Sequence, residues 1–447
     1  MTANTRRLVL ARTESVCPVC LKTVAAERYV VGDTVYLGKT CAEHGTFDVP
    51  IWRGASSYLA WGSGRRTPTT PAAATTSVVS GCPRDCGLCP DHRQDSCCVL
   101  IEVTARCDLA CPVCYASAGG QSHDPSLDDI DRWLGVLNAA GGRVHIQLSG
   151  GEPTQRDDLA EVVALVRRRG FDFVQLNTNG VRIGREPDYL ARLVEAGLDC
   201  VFLQFDGLTE ASHVALRGRP LAAQKQAAIA AARAAGVGVV LVPTLLAGVN
   251  VGEIGAIVEF AKANSPTVRA VHFQPASQFG RFETAGERVT LPEVMAALVA
   301  HEHGAIRLAD FHPGSAENPY CSFSGRFQIG DDGRLAALGD SRPSCGCGSG
   351  EDVNRERRYV AGQWRLDDGA TADGLDAFDR FLASRRRTLG LSAMVFQDAW
   401  TLDLERLRQC HIHIVSPDAR VIPFCAYNLT SVDGTSLYRG ASPVTEG

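Results

Sequence analysis

A chain of 447 residues is long for one domain and predicts about three structural units. Its formal net charge of -5 gives no electrostatic case for nucleic acid. No apolar run reads as a membrane span: the longest, around Val237–Leu246, contains Pro243 and has the length of a strand. The 17 cysteines, without a secretory leader, read as metal ligands rather than a disulfide framework, and the expectation is a cytoplasmic protein.

In chain order, Cys17-Pro18-Val19-Cys20 is followed by Cys41-Ala42-Glu43-His44, with Asp33–Leu37 as hairpin material between them. Two such knuckles predict a zinc-ribbon or rubredoxin-like site holding one zinc or mononuclear iron, a staple for residues 1–62, a unit too small for a good core. Gly62–Val79, rich in Pro, Thr, Ala and Gly, reads as a linker over about 63–80. Residues 81–98 then carry Cys82, Cys86, Cys89 and either Cys97 or Cys98, four thiolates that close an auxiliary [4Fe-4S] cluster or hold a zinc ion.

Val99–Thr104 is a β-rich run that ends at Cys107-Asp108-Leu109-Ala110-Cys111-Pro112-Val113-Cys114-Tyr115. The spacing of Cys107, Cys111 and Cys114 supplies three thiolates to an iron–sulfur cluster whose closed form takes four, leaving one iron for a ligand that is not protein. Closely spaced cysteines also build zinc knuckles; the segments that follow favour the cluster. Ser126 caps a helix with Asp129 three residues on, and Gly141 and Gly142 close it. Further strands are predicted at Val144–Ser149, Phe173–Thr178, Cys200–Phe205, Val237–Pro243 and Ala270–Gln274. Helices near 158–169, 187–196, 222–235 and 252–263 separate them. This alternation predicts an α/β fold, a partial (β/α)6 barrel over about 99–310 whose strand-end loops build the site. Those loops carry Gly150-Gly151-Glu152-Pro153, Asn177-Thr178-Asn179-Gly180 and Phe205-Asp206-Gly207, with Arg217 beyond and Gln274 ending the sixth strand. The two glycines admit close backbone approach to a ligand, and Glu152 offers a carboxylate to an ammonium group.

Residues 311–447 read as a C-terminal cap. Cys321, Cys410 and Cys425 are candidates for a second auxiliary cluster, and Cys345 or Cys347 for its fourth ligand. Cys200, at the start of a strand, reads as core. A helix pattern from Leu375 ends in Arg385-Arg386-Arg387, where cations suit the helix dipole.

The order CPVC, CAEHG, GCPRDCGLCP, CDLACPVCYA, LSGGEPT, LNTNG, LQFDG, HFQPAS and IPFCAYN resembles the radical S-adenosylmethionine superfamily, in the branch of the tetraether lipid synthases and the class D methyltransferases that act on a pterin. The resemblance implies that the open iron of a [4Fe-4S] cluster chelates S-adenosylmethionine. Glu152 would then hold its amino group, Asn177 and Asn179 its ribose, and Arg217 its carboxylate, with Gly150, Gly151, Asp206 and Gln274 completing the cofactor site. It further implies reductive cleavage to a 5′-deoxyadenosyl radical by an external flavodoxin- or ferredoxin-type donor, and formation of a C–C bond, by alkyl coupling or methylation, on a lipid- or pterin-like substrate. A lipid substrate would bring the protein to a membrane surface. No cobalamin-domain signature is present. One departure stands out: Pro313–Asn318 has neither the Cys nor the His that the branch carries before the position of Cys321, which puts the third cluster in question. Two rivals are weighed against this reading, a peptide-modifying radical enzyme and a non-catalytic iron–sulfur electron carrier. The metal knuckles argue against the first, and the intact cysteine set beside Glu152 against the second.

Overall fold

The computed structural model describes residues 7–63, 70–71, 74–119, 124–142, 144–282, 286–339, 351–366 and 387–440. Cys345, Cys347 and the helix expected from Leu375 lie outside them.

The N-terminal unit is an antiparallel sheet whose strands follow chain order: β1 (Leu8–Val16), β2 (Thr23–Val31), β3 (Thr34–Cys41) and β4 (Gly45–Arg53). The β2–β3 hairpin turns on Gly32, whose φ of 62° suits glycine. The two knuckles occupy the β1–β2 and β3–β4 connections at one end of the sheet. Helix α1 (Ala55–Trp61) follows and places Tyr58 against Tyr320, ring centroids 4.0 Å apart. The unit docks onto the 397–408 segment: buried Lys39 donates to Ala399 O at 2.7 Å, and Arg28 pairs with Glu405 at 2.5 Å.

The second sheet is built on eight parallel strands. The expected six are present as β5 (Cys98–Thr104), β6 (His145–Gly150), β7 (Val174–Thr178), β8 (Cys200–Gln204), β9 (Gly238–Val242) and β11 (Val268–Pro275), with the two-residue β10 (Thr244–Leu245) paired to the end of β11. Two later strands extend this arc. Strand β14 (Thr388–Met394) runs parallel to β11, and β15 (Ile412–Val415) runs parallel to β5. Antiparallel β12 (Ser322–Ile329) and β13 (Leu335–Ala337) continue beyond β14, and β16 (Val421–Pro423) lies beyond β15. The region read as a cap therefore also supplies wall strands on both sides of the arc.

Helices cover the outer face: α2 (Leu127–Ala139), α3 (Leu159–Arg168), the short α4 (Val181–Arg185), α5 (Pro187–Glu195), α6 (Glu210–Arg217), α7 (Ala222–Ala234), α8 (Ile254–Ala263) and α9 (Leu291–His301). The Ser126–Asp129 capping box starts α2 as its sequence requires. The main core lies between these helices and the sheet, with Ile130, Leu134, Val162 and Val166 packed among Val99, Ile101, Ile146 and Leu148. The inner face of the arc encloses a lumen, and α10 (Glu351–Trp364) covers the end where the strands begin, with Trp364 against Phe202.

Candidate functional site

The cluster loop leaves the end of β5 and is clasped by the loop after β6. Gly151 N donates to Thr104 O and Glu152 N to Arg106 O, both at 2.8 Å. A Cβ on Gly150 or Gly151 would overlap the backbone oxygens of Thr104 and Arg106, so the glycines serve the approach of one loop to another. From the far side, Arg281 exchanges backbone hydrogen bonds with Cys114, and its Nε donates to Cys111 O at 2.7 Å. Cys107, Cys111 and Cys114 all line the lumen. Burial raises the Cys107 thiol to about 12 and also raises Cys111, which Arg217 opposes. Metal binding must therefore displace protons from these thiols.

Glu152 is buried, lines the lumen and sits in a cage of donors. Its Oε1 accepts from Thr154 N, Thr154 Oγ1 and Thr178 Oγ1, and its Oε2 accepts from Asn179 N at 2.7 Å. Burial raises its carboxyl above the ordinary range, and these donors oppose the shift. Asn179 donates to Asp108 inside the cluster loop at 2.7 Å, and Asn177 donates to Ser149 at 3.2 Å. Arg217 makes a two-point pair with Asp206, both contacts at 2.6 Å, and donates further to Thr244 Oγ1 and to Val113 O of the cluster loop. Both partners are buried: burial works against each charge, but the pairing prevails, raising Arg217 and lowering Asp206. The guanidinium fork is thus filled by Asp206 while its edge borders the lumen. Gln274 lines the lumen beside Thr244, its partner in the β10–β11 register. Lys225 is a residue the sequence reading missed. Fully buried, it donates to Asn179 O at 2.6 Å, and desolvation lowers it to about 8.

The lumen has a volume of about 260 Å³ and runs from these strand ends to α10. Its wall includes His145, Gln147, Gln175, Gln204 and His272 from the parallel strands, Ser322 and Ser324 from β12 and Ser392 from β14. Gln175 donates to Gln147 at 2.8 Å, and His272 shares a hydrogen bond with Ser392 at 2.9 Å. His145 Nδ1, Gln175 Oε1, Gln204 Oε1 and Gln363 Oε1 are buried without a hydrogen-bond partner. The sequence reading passed over all of these. Strands covered on both faces read as continuous apolar runs, so polar residues at alternate positions, as in His145-Ile146-Gln147-Leu148-Ser149, were the available signal.

Three cysteine groups lie elsewhere. The ligand atoms of Cys17, Cys20, Cys41 and His44 fall within 4.8 Å of one another, which fits one tetrahedral metal ion. The His44 hydrogen bond lowers Cys41 to about 6, toward the thiolate that metal needs. Cys82, Cys86 and Cys89 border one small pocket, together with His92. Cys97 is not there: it is buried with Ala316 and Val353 and lines the lumen. Cys98 faces the lumen too, 3.7 Å from Gln147 Oε1, its thiol raised to about 12 by burial. Burial raises the Cys410 and Cys425 thiols, and neighbouring thiols among Cys321, Cys410 and Cys425 add to each shift. Arg406 lies among them and donates to Cys321 Sγ at 3.4 Å. Cys200 is core, packed with Phe173 and Phe202.

Residues 101–261 match the model of the radical SAM superfamily, and residues 9–53 match that of the HMPTM N-terminal zinc ribbon domain. The chain is 33% identical to the 7,8-dihydro-6-hydroxymethylpterin dimethyltransferase of Methanocaldococcus jannaschii, over 93% of this chain and 93% of that protein. It is 32% identical to the GTP 3′,8-cyclase of Chlorobaculum tepidum, over 53% of this chain and 76% of the cyclase. Among solved structures, Streptococcus suis SuiB bound to precursor peptide SuiA aligns over 48% of each chain, with a TM-score of 0.40 and 16% identity. The cysteine triplet at the end of β5, the clasp of Gly151 and Glu152 around it, and the length of the match to the dimethyltransferase agree: the chain is an enzyme of the radical SAM superfamily and belongs to the family of that methyltransferase.

Proposed function

We propose that this enzyme methylates carbon on a polar nitrogen heterocycle of the dihydropterin type, held in the lumen beneath the cluster loop. One observation carries the reading: the lumen wall presents buried amides and imidazoles, several without partners, where an alkyl chain would leave them unmatched. The dihydropterin named as the substrate of the Methanocaldococcus jannaschii relative supports the same choice over a lipid.

Cys107, Cys111 and Cys114 would hold the [4Fe-4S] cluster, and Glu152, Asn177, Asn179, Gln274 and the lumen-facing edge of Arg217 would surround S-adenosylmethionine. When bound and reduced by a flavodoxin- or ferredoxin-type donor, the pair supplies a 5′-deoxyadenosyl radical. The residues of the chain do the rest. Glu152, fixed by its donors, presents a carboxylate of set orientation to an ammonium group. Asp206 and Arg217 brace the cluster loop against β8 and β10. Gln147, Gln175 and Gln204 orient the heterocycle by hydrogen bonds, and the surrounding strands and α10 keep water from the reacting carbon. Cys17, Cys20, Cys41 and His44 would hold zinc or iron in a structural role, and Cys82, Cys86 and Cys89 an auxiliary cluster.

The test is anaerobic turnover of reconstituted protein with dithionite, S-adenosylmethionine and 6-hydroxymethyl-7,8-dihydropterin, followed by mass spectrometry. The expected result is 5′-deoxyadenosine together with a pterin heavier by methyl units, both lost in Cys111→Ala. Release of 5′-deoxyadenosine with the pterin unchanged, while an isoprenoid lipid becomes alkylated, would overturn the reading.

A further inference from the structure

The end of the lumen remote from the cluster loop is chemically distinct. Three chain segments begin there side by side: His411 precedes β15, Cys97 precedes β5, and His145 opens β6. Cys97 N donates to His411 O at 2.8 Å and His145 N to Cys97 O at 2.9 Å, so the three form one row across the base. Glu317 lies against this row, 4% exposed, with Oε2 3.3 Å from His411 Nδ1 and Oε1 accepting from Ser322 Oγ. A Cβ on Gly314 would overlap the Glu317 carboxylate, so glycine there lets the acid fold inward against its own turn. Glu356 of α10 joins the same wall, accepting from Ser315 Oγ at 2.5 Å. His145 Nδ1 and Gln363 Oε1 line this base, buried and without a hydrogen-bond partner.

We infer that Glu317, with His411 and His145 beside it, is the subsite for the amino-pyrimidinone edge of the substrate, two adjacent N–H donors on one side of a fused ring. The inference rests on the heterocycle reading above and deepens it. A carboxylate accepts two parallel N–H donors as readily as it accepts an arginine fork. A neutral imidazole at His145 presents one N–H and one lone pair, a match for the carbonyl or ring nitrogen next to that edge. The placement also sets orientation. From His145 to Gly150 the lumen wall rises five residues, on the order of 16 Å at strand pitch. A bicycle anchored at the base by its pyrimidine ring turns its opposite edge toward Glu152 and the cluster cysteines.

The experiment is anaerobic equilibrium binding to the holoenzyme, followed by pterin fluorescence, with two probes. One is 6-hydroxymethyl-7,8-dihydropterin; the other is its analogue with oxygen in place of the 2-amino group. The wild type is expected to favour the amino form at least tenfold. Glu317→Gln, whose amide both donates and accepts, is expected to lose that preference while keeping the iron content of the wild type. An ion pair that merely stabilised the fold would leave the ratio between the probes unchanged in the variant, and that result overturns the subsite. Equal binding of both probes by the wild type overturns it without recourse to any variant. If neither probe binds the wild type, the heterocyclic substrate falls, and the subsite with it.

Discussion

Asp206 and Arg217 brace the cofactor end of the site through one buried pair, and the energetics of such pairs are lopsided. Replacing both partners is often neutral, but removing one leaves a buried charge uncompensated. Asp206→Ala is therefore expected to cost about 3–5 kcal/mol, read as a lower urea midpoint at pH 7. It should also lower iron retention, because the same guanidinium donates to Val113 O in the cluster loop. At this scale the sequence named nearly every group at the mouth, Cys107 through Gln274, by residue type and place after a strand. It did not name their partners. Nothing in the segment Phe205-Asp206-Gly207 announces that its acid occupies the fork of Arg217 eleven positions on. Nor does a lysine near the start of α7 advertise that it reaches Asn179 O from a fully buried position. Pairings of this kind depend on how the loops converge after folding.

At the scale of elements, the zinc-ribbon unit tests the metal staple most directly. Its four strands have few residues between them to bury, and bound metal can contribute about 10–16 kcal/mol to folding such a unit. Cys41→Ser is expected to remove one metal equivalent per chain by elemental analysis and to make residues 7–53 susceptible to protease, with the iron of the Cys107 cluster retained. A protein that keeps its full metal content would show that the four ligands hold nothing. The ribbon also touches the 397–408 segment that carries Arg406 into the Cys321, Cys410 and Cys425 group, so its loosening should be felt there by hydrogen exchange. The six central strands were legible because helices of regular period separate them. Strands β14 and β15 were not. Each joins the arc from a distant part of the chain without a matching βα partner, and β14 follows a segment where the sequence showed only a charged helix end. Local periodicity carries no record of which distant edge a strand will join.

The whole molecule has a direction of acid sensitivity set by histidines buried neutral. Burial lowers His145 to about 3, assisted by Arg357 and Arg365, and lowers His272 to about 4 against a weak opposing pull from Glu317. Unfolded histidine binds its proton near pH 6.5, so below that value the unfolded chain takes up protons that the folded chain refuses. Stability is thus fully present above about pH 6.5 and is lost as pH falls, by about 1.4 kcal/mol per unit for each histidine, until pH reaches the folded values. Urea midpoints at pH 7.5 and 5.5 should differ in that sense. His145→Phe should flatten the dependence by its own share, and an unchanged slope in that variant would refute the assignment.

The two flanking strands also place the closing of the lumen in time. A ribosome that has completed β11 has released a six-stranded arc with an unpaired rim on each side. Neither rim gains its neighbour until the chain has passed Met394 and then Val415, more than a hundred residues later. Throughout that interval Cys107, Cys111 and Cys114 can be approached through the sides of the arc, by iron, sulfide or an assembly partner too bulky for the finished opening. Synthesis of β14 and β15 then shuts the side doors. A delivery system for the cluster would have its widest access to a nascent chain, and the mature protein would have to be reloaded through the mouth alone.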